Sequence, residues 1–179
     1  KVPVKGFFSL NLLIEETVRL IDRPASLKNV EIVTDLDPEL PQVWGDADLI
    51  KQVLLNILVN AEQAIERQGK VTVETRRYVA KIPAKAGTEP MPMVEVAIKD
   101  TGCGIPEANL QRIFDPFFTS KEVGKGTGLG LSVSYGIIKA HGGAIKVESA
   151  LGAGSTFRIR LPIMPELADA RRDAQVSAQ

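Results

Sequence analysis

The sequence predicts a single α+β domain, and three observations carry that prediction. Its 179 residues suit one compact unit with a full apolar core. Three stretches space their apolar residues as helices do. Two pairs of alternating stretches, each pair separated by turn-forming residues, read as antiparallel hairpins. The composition is that of an ordinary globular protein, 44% hydrophobic and 25% charged. Lys plus Arg and Asp plus Glu balance at 22 each, which argues against a nucleic-acid binder. Cys103 is the single cysteine, so no intrachain disulfide can form and the cytosol is the default compartment. The most apolar run, Val53 to Val59, is far shorter than the roughly 20 residues that span a bilayer. No signal peptide precedes it.

The elements follow in order. Ser9 or Asn11 can cap a helix carrying Leu12, Leu13, Ile14, Val18, Leu20 and Ile21, which Pro24 interrupts. Residues 30–36 alternate as a half-buried strand does, and the Asp37-Pro38-Glu39-Leu40-Pro41 stretch that follows is a loop. The longest helical signal runs over 46–68, with acidic residues in its first turn and Gly69 just past its end. Residues 71–78 and 93–99 are strands, joined by a Pro- and Gly-containing loop with a mobile tip. A short helix is expected over 106–113, an irregular segment over 114–130, and a further helix over 131–140, stopped by Gly142-Gly143. Residues 144–149 and 155–161 form a closing hairpin turned at 151–154. The domain is expected to cover 1–163, with 164–179 a polar, alanine-rich and disordered tail.

Chemistry concentrates in three segments. The central helix is apolar nearly all round, yet Gln52, Asn56, Asn60 and Gln63 recur along one side of it. A buried amide without a partner costs about 1–3 kcal/mol. These amides therefore bond either neighbouring backbone or a hard cation carrying phosphates, and spacing alone does not choose. Asp100-Thr101-Gly102-Cys103-Gly104-Ile105-Pro106 follows a strand. It reads either as a tight turn or as an aspartate that takes an amino group such as adenine's, with glycines admitting a planar base. Gly124-Lys125-Gly126-Thr127-Gly128-Leu129-Gly130-Leu131-Ser132 places alternate glycines before an apolar helix, exposing backbone N–H groups that suit phosphates. It is neither a P-loop nor a dinucleotide fingerprint, because Phe114-Asp115-Pro116-Phe117-Phe118-Thr119-Ser120-Lys121 stands where a strand would be. That aromatic cluster reads as the hinge of a mobile lid, whose Lys121 and Lys125 neutralise phosphate charge; the bland alternative is a solvated surface loop.

These segments, in this order, resemble the catalytic and ATP-binding domain of bacterial two-component sensor histidine kinases, over nearly the whole chain. Asn56-Ile57-Leu58-Val59-Asn60-Ala61 is similar to that family's N box, Asp100 to Ile105 to its first glycine box, Phe114 to Phe118 to its F box and Gly126 to Gly130 to its second. Gln52 and the Phe-Phe-Thr-Ser-Lys run look most like the nitrogen-regulation type. The resemblance implies a two-layer α/β sandwich, the Bergerat ATP-binding fold, with about three helices on a mixed sheet of about five strands. It implies that Asn60 coordinates Mg2+ and that Asn56 assists at metal and phosphates. It implies further that Asp100 takes the adenine amino group and that Gly102, Gly104 and Ile105 shape the pocket. By the same resemblance, Gly126, Thr127, Gly128, Leu129, Gly130 and Leu131 are expected to hold phosphates, Thr156 to help hold adenine, and Lys121 and Lys125 to join Asn56 as catalytic groups.

Two departures refine the expected activity. Hydrolysing members of the wider superfamily carry a general-base glutamate where this chain has Asn56, and an amide cannot accept a proton from water at neutral pH. Transfer of the γ-phosphoryl group from Mg-ATP to a protein histidine is therefore expected over hydrolysis. The only histidine, His141, matches a structural position, and no His-Glu with a following Asn-Pro exists. A dimerising, phosphoacceptor helical domain is expected to precede Lys1, with a response-regulator receiver domain downstream. The fragment itself is expected to be a cytoplasmic monomer without membrane or nucleic-acid contact, in a kinase that membranes can still anchor. Cys103 is expected to be a small buried filler. The competing readings are a non-catalytic nucleotide-binding regulator, such as a degenerate kinase or anti-sigma-type partner switch, and a topoisomerase-like ATPase fragment.

Overall fold

The computed structural model describes residues 4–84, 87–119 and 128–164. Its elements are β1 (Gly6–Phe8), α1 (Leu10–Leu27), β2 (Val30–Leu36), β3 (Val43–Gly45), α2 (Ala47–Gln63), β4 (Gly69–Ala84), β5 (Gly87–Asp100), α3 (Glu107–Leu110), α4 (Gly130–Ala140), β6 (Ala144–Ser149) and β7 (Ser155–Pro162). The main sheet has the order β2-β4-β5-β7-β6. It is mixed: β2 runs parallel to β4, and the remaining pairs are antiparallel. The helices cover one face, giving the two layers the sequence implied.

Alternation decides what each face of the sheet buries. Val94, Val96 and Ile98 of β5 point into the core with Phe157, Ile159 and Leu161 of β7, against Ile50, Leu54, Ile57 and Leu58 of α2. On the opposite face, Glu95 is fully buried among arginines. Arg76 Nη2 stands 2.6 Å and Arg158 Nη1 3.3 Å from its Oε1, and Arg160 Nε 2.6 Å from its Oε2. Burial pushes this carboxyl up, but hydrogen bonds and charge from Arg160 and Arg76 outweigh it and hold the group below its ordinary 4.5.

Several expectations are corrected. Pro24 does not end α1, which continues to Leu27. The proline forfeits only the bond to the Leu20 carbonyl one turn before the end, while Ala25 beyond it is fully buried. Ser9 is the cap, with its hydroxyl 3.3 Å from the Leu12 N–H. Asn11 instead reaches the Asp37 carbonyl and the Thr75 hydroxyl. The central helix stops at Gln63, not at 68, and Gly69 opens β4. The chain turns at Ala64 because its carbonyl accepts the Cys103 N–H at 2.9 Å, and Ile65 drops into the core.

The β4–β5 hairpin is longer than expected, pairing as far as Ala84 and Gly87, so the segment expected as loop is mostly strand. Its prolines are tolerated where a neighbour is missing. β2 accompanies β4 only to Thr75, and β7 accompanies β5 only from Met93, so Pro83 and Pro90 lie where the ribbon has free edges. The small sheet of β1 and β3 was not anticipated, because three residues are too few to show a period. The strands over 30–36, 144–149 and 155–162 and the helix of α4 agree with expectation. The tail expected beyond 163 falls outside the described residues apart from Met164.

Glu95→Gln is expected to destabilise the fold by about 3 kcal/mol in urea unfolding, because it strips the counter-charge from clustered arginines. Arg76→Ala, at a side chain 61% exposed, is expected to cost under about 1 kcal/mol.

Candidate functional site

α2 enters the site already fixed at its N-terminus. Asp46 caps it, Oδ1 accepting the Leu49 N–H at 3.1 Å, while Oδ2 accepts from Val4. The Asp46 N–H itself donates to Nε2 of His141, 3.0 Å away, and the other ring nitrogen donates to the Ile137 carbonyl at 2.8 Å. With one nitrogen accepting and one donating, the buried imidazole is neutral. Burial holds its pKa below the ordinary 6.5; the Ile137 bond and Asp46 oppose this and Lys5 adds to it. His141 thus ties the end of α4 to the start of α2, the structural role expected of it.

From this anchor α2 presents its amides to a cleft of about 490 Å³, within the usual range for small-molecule sites. Asn56, Asn60 and Gln63 line it, together with Asp100, Gly104, Ile105, Gly128, Gly130 and Leu131. Three separate sequence segments therefore meet at one cavity. Gln52 does not reach it; with Leu55, Val59, Leu129, Val133 and Ser134 it borders a neighbouring groove between α2 and α4 that shares Asn56 and Gly130 with the main cleft. Leu129 belongs to that groove only. The Asn56 amide donates to Ser134 Oγ at 3.0 Å, and its Oδ1 lies against Gly130, where a Cβ would collide with it.

The opposite wall is built around Asp100, 2% exposed. Its Oδ1 accepts the Gly102 N–H at 2.8 Å and the Ser155 N–H at 3.3 Å. Burial raises its pKa above 3.8, and these two bonds offset part of the rise. Gly104 has φ +73°, and a Cβ there would meet the Ala150 carbonyl, so only glycine lets the β6–β7 turn close on this wall. Gly102 does not line the cleft; it packs on the Ala64 carbonyl at the end of α2, where a Cβ would stand 2.5 Å from that oxygen.

Two expectations fail here. Thr156 is not at the cleft: alternation along β7 sends it to the arginine face, while Ser155 and Phe157 line the cavity. The buried phenylalanine was the available signal, since a residue two positions before it shares its face. Cys103 is not buried filler but exposed, and it lines the cleft. Sequence reasoning passed over Asn109 and Ile113, which reach the cavity from α3 and just beyond; Phe118 and Thr119, read from the sequence only as part of a hinge, line it as well. Lys121, Lys125, Gly126 and Thr127 lie outside the described residues. On either side of them, the Phe117 N–H donates to the Gly128 carbonyl at 2.9 Å, both residues at φ +66°.

Among the described residues no three His, Cys, Asp or Glu side chains cluster as metal ligands. The donor set at the cleft is instead rich in carboxamides, with Asn56 and Asn60 of α2 beside the N-terminus of α4, which carries no side-chain cap. That set suits a hard cation completing its shell with ligand oxygens and water.

Residues 45–165 match the family described as histidine kinase-, DNA gyrase B-, and HSP90-like ATPase. The signal transduction histidine-protein kinase AtoS of Escherichia coli (strain K12) is 44% identical over 88% of this chain. The chain spans only 24% of the length of that relative. Among solved structures, the nucleotide-free catalytic domain of histidine kinase ThkA superposes with a TM-score of 0.75 at 34% identity, over 90% of this chain and 99% of that one. Full-length ShkA in complex with AMPPNP gives 0.72 at 27% identity, over 88% and 31%. ThkA in complex with the response regulator TrrA gives 0.71 at 31%, over 90% and 42%.

The neutral His141 gives the fold a pH dependence whose sign is fixed. Its folded pKa lies below the unfolded 6.5, so the unfolded chain binds the proton first. Stability is full above pH 6.5 and declines as pH falls from there toward the depressed folded value. Asp100, raised above 3.8, acts in the opposite sense in the carboxylate range. Urea midpoints between pH 7.5 and about 5 are expected to fall for the wild type and to flatten in His141→Asn.

Proposed function

The chain belongs to the histidine kinase-, DNA gyrase B-, and HSP90-like ATPase family, and from that premise we propose that it binds Mg-ATP and transfers the γ-phosphoryl group to a histidine of a dimerising phosphoacceptor domain. The observation that carries this reading is the convergence of Asn56, Asn60 and the buried Asp100 on one cleft. Asn60 and Asn56 would hold the cation, whose chemistry is to neutralise phosphate charge and orient the γ-group. Asp100 would accept the adenine amino group, and Gly104 and Ile105 would flank the base. The N–H groups at the start of α4, from Gly130 and Leu131, would face the phosphates together with Gly126, Thr127 and Gly128. Lys121 and Lys125 would add charge at the transferred group.

The step itself is an in-line displacement: a neutral imidazole nitrogen forms the N–P bond while the bond to the ADP oxygen breaks. Asn56 cannot take a proton from water, so water is a poor competitor for the acceptor. In this reading residues 1–163 are the catalytic and ATP-binding domain, 164–179 a tail outside it, and the acceptor and receiver domains are partners, the reaction taking place in the cytoplasm. No helix among the described residues is long and apolar enough to cross a membrane.

Labelled ATP and a separately supplied phosphoacceptor domain test the proposal. Acid-labile label is expected on the acceptor only when this chain and Mg2+ are present. Tight nucleotide binding without transfer would instead favour a non-catalytic regulator, and phosphate release without acceptor a hydrolase. By calorimetry, Asn60→Ala is expected to weaken Mg-dependent nucleotide binding about tenfold or more.

A further inference from the structure

Behind the Asp100 wall, Ser149 joins three groups. Its Oγ lies 2.8 Å from the Ile105 nitrogen, 2.9 Å from the Gly154 carbonyl oxygen and 2.9 Å from Ser155 Oγ. A serine hydroxyl has one proton and two lone pairs. The Gly154 carbonyl has no proton to give, so the Ser149 proton points at it. The Ile105 N–H can only donate, and it takes one lone pair. Across the remaining 2.9 Å, two oxygens avoid opposed lone pairs only if Ser155 donates to Ser149. With its proton committed, Ser155 Oγ offers only lone pairs to the cleft it lines. Ser155 is also the residue whose N–H bonds Asp100, so the carboxylate and this hydroxyl sit at the same end of the cavity, and both accept.

From this proton order we infer that Ser149, which does not itself line the cleft, is a positioning residue that sets base specificity. By holding the Ser155 hydroxyl as an acceptor beside Asp100, it selects a ligand edge built of N–H donors, either an exocyclic amino group or a water bonded to one. A purine carrying a carbonyl oxygen at that edge meets lone pairs on both side chains. The inference rests on the nucleotide reading above and goes beyond it. Asp100 alone would accept an amino group; Ser149 removes the donor that would otherwise tolerate the carbonyl.

The test compares Mg-ATP and Mg-GTP affinities by calorimetry in the full chain and in Ser149→Ala, Ser149→Thr, Ser155→Ala and the double alanine variant. Freed from Ser149, the Ser155 hydroxyl can rotate and donate to the guanine carbonyl. The ATP-over-GTP preference is therefore expected to shrink about five- to tenfold in Ser149→Ala, through tighter GTP binding. Ser149→Thr, which keeps the hydroxyl, is expected to restore it, and the double variant to match Ser155→Ala, since Ser149 acts through Ser155. An unchanged ratio in Ser149→Ala, or equal losses for both nucleotides as from a loosened turn, would overturn the inference. If Ser149→Ala does not fold, a wild-type ratio in Ser155→Ala overturns it equally. Wild-type protein that binds neither nucleotide would overturn the nucleotide reading and this inference together.

Discussion

The cleft depends on a single constraint: α2 must be buried and must still present amides. Burial fixes its rotation, because Ile50, Leu54, Ile57 and Leu58 are each at most 1% exposed against the sheet. Each such side chain contributes about 1.5–3 kcal/mol. Once that face is pinned, the four-residue spacing leaves Asn56 and Asn60 no direction but the cavity. Axial position is fixed at the two ends, by the Asp46 cap with its His141 acceptor and by the Ala64 carbonyl that takes the Cys103 N–H. The second tie is the more consequential, since the residue it captures belongs to the opposite wall. The helix and the Asp100 turn thus cannot move apart without losing a hydrogen bond.

The sheet divides its polar work by face. On the helix-covered side it is largely apolar; Thr75 within β4 bonds Asn11 of α1, and at the strand ends Asp100 and Ser155 meet the cavity. On the other side the buried Glu95 gathers arginines from β4 and β7. Both carboxylates are removed from water, yet their pKa values move in opposite directions. Glu95 has guanidinium partners that outweigh its burial. Asp100 has only backbone N–H groups, which do not. A carboxylate held by neutral donors keeps capacity to accept from a ligand; one surrounded by arginines is saturated. That difference, more than burial, separates the site from the scaffold.

Glycine acts here through absent atoms. At Gly104 and Gly154 a Cβ would strike main-chain carbonyls, of Ala150 and Asp100 respectively, so the turn after β5 and the turn before β7 can interlock. Their interlocking places Ser149 within reach of Ile105, Gly154 and Ser155 at once. At Gly130 the missing Cβ makes room for the Asn56 carboxamide. The glycine pattern that marked these segments in the sequence therefore reports close approach between segments as much as backbone freedom within them.

The sequence by itself determined the order of the longer elements, β1 and β3 excepted, and singled out the three segments that form the cavity, because long elements show local periodicity and the segments carry distinctive residue types at fixed spacing. Asn56, Asn60 and Asp100 were legible as candidates for that reason, while the choice among their possible roles came from the family resemblance. The core was not determined in full, since Leu12 and Leu20 of the first helix's apolar pattern are exposed. Tertiary structure alone decided where elements stop and which neighbour each polar group meets. α1 runs through Pro24 because Ala25 is buried beyond it, and α2 ends early because a distant N–H captures its last carbonyl. The hairpin extends through its prolines because no strand lies alongside to miss their N–H groups. Ser155 displaced Thr156 at the wall because a strand fixes its face only once its partners are in place. In each case what decides is the presence or absence of a neighbour from a distant part of the chain, and no local pattern encodes that.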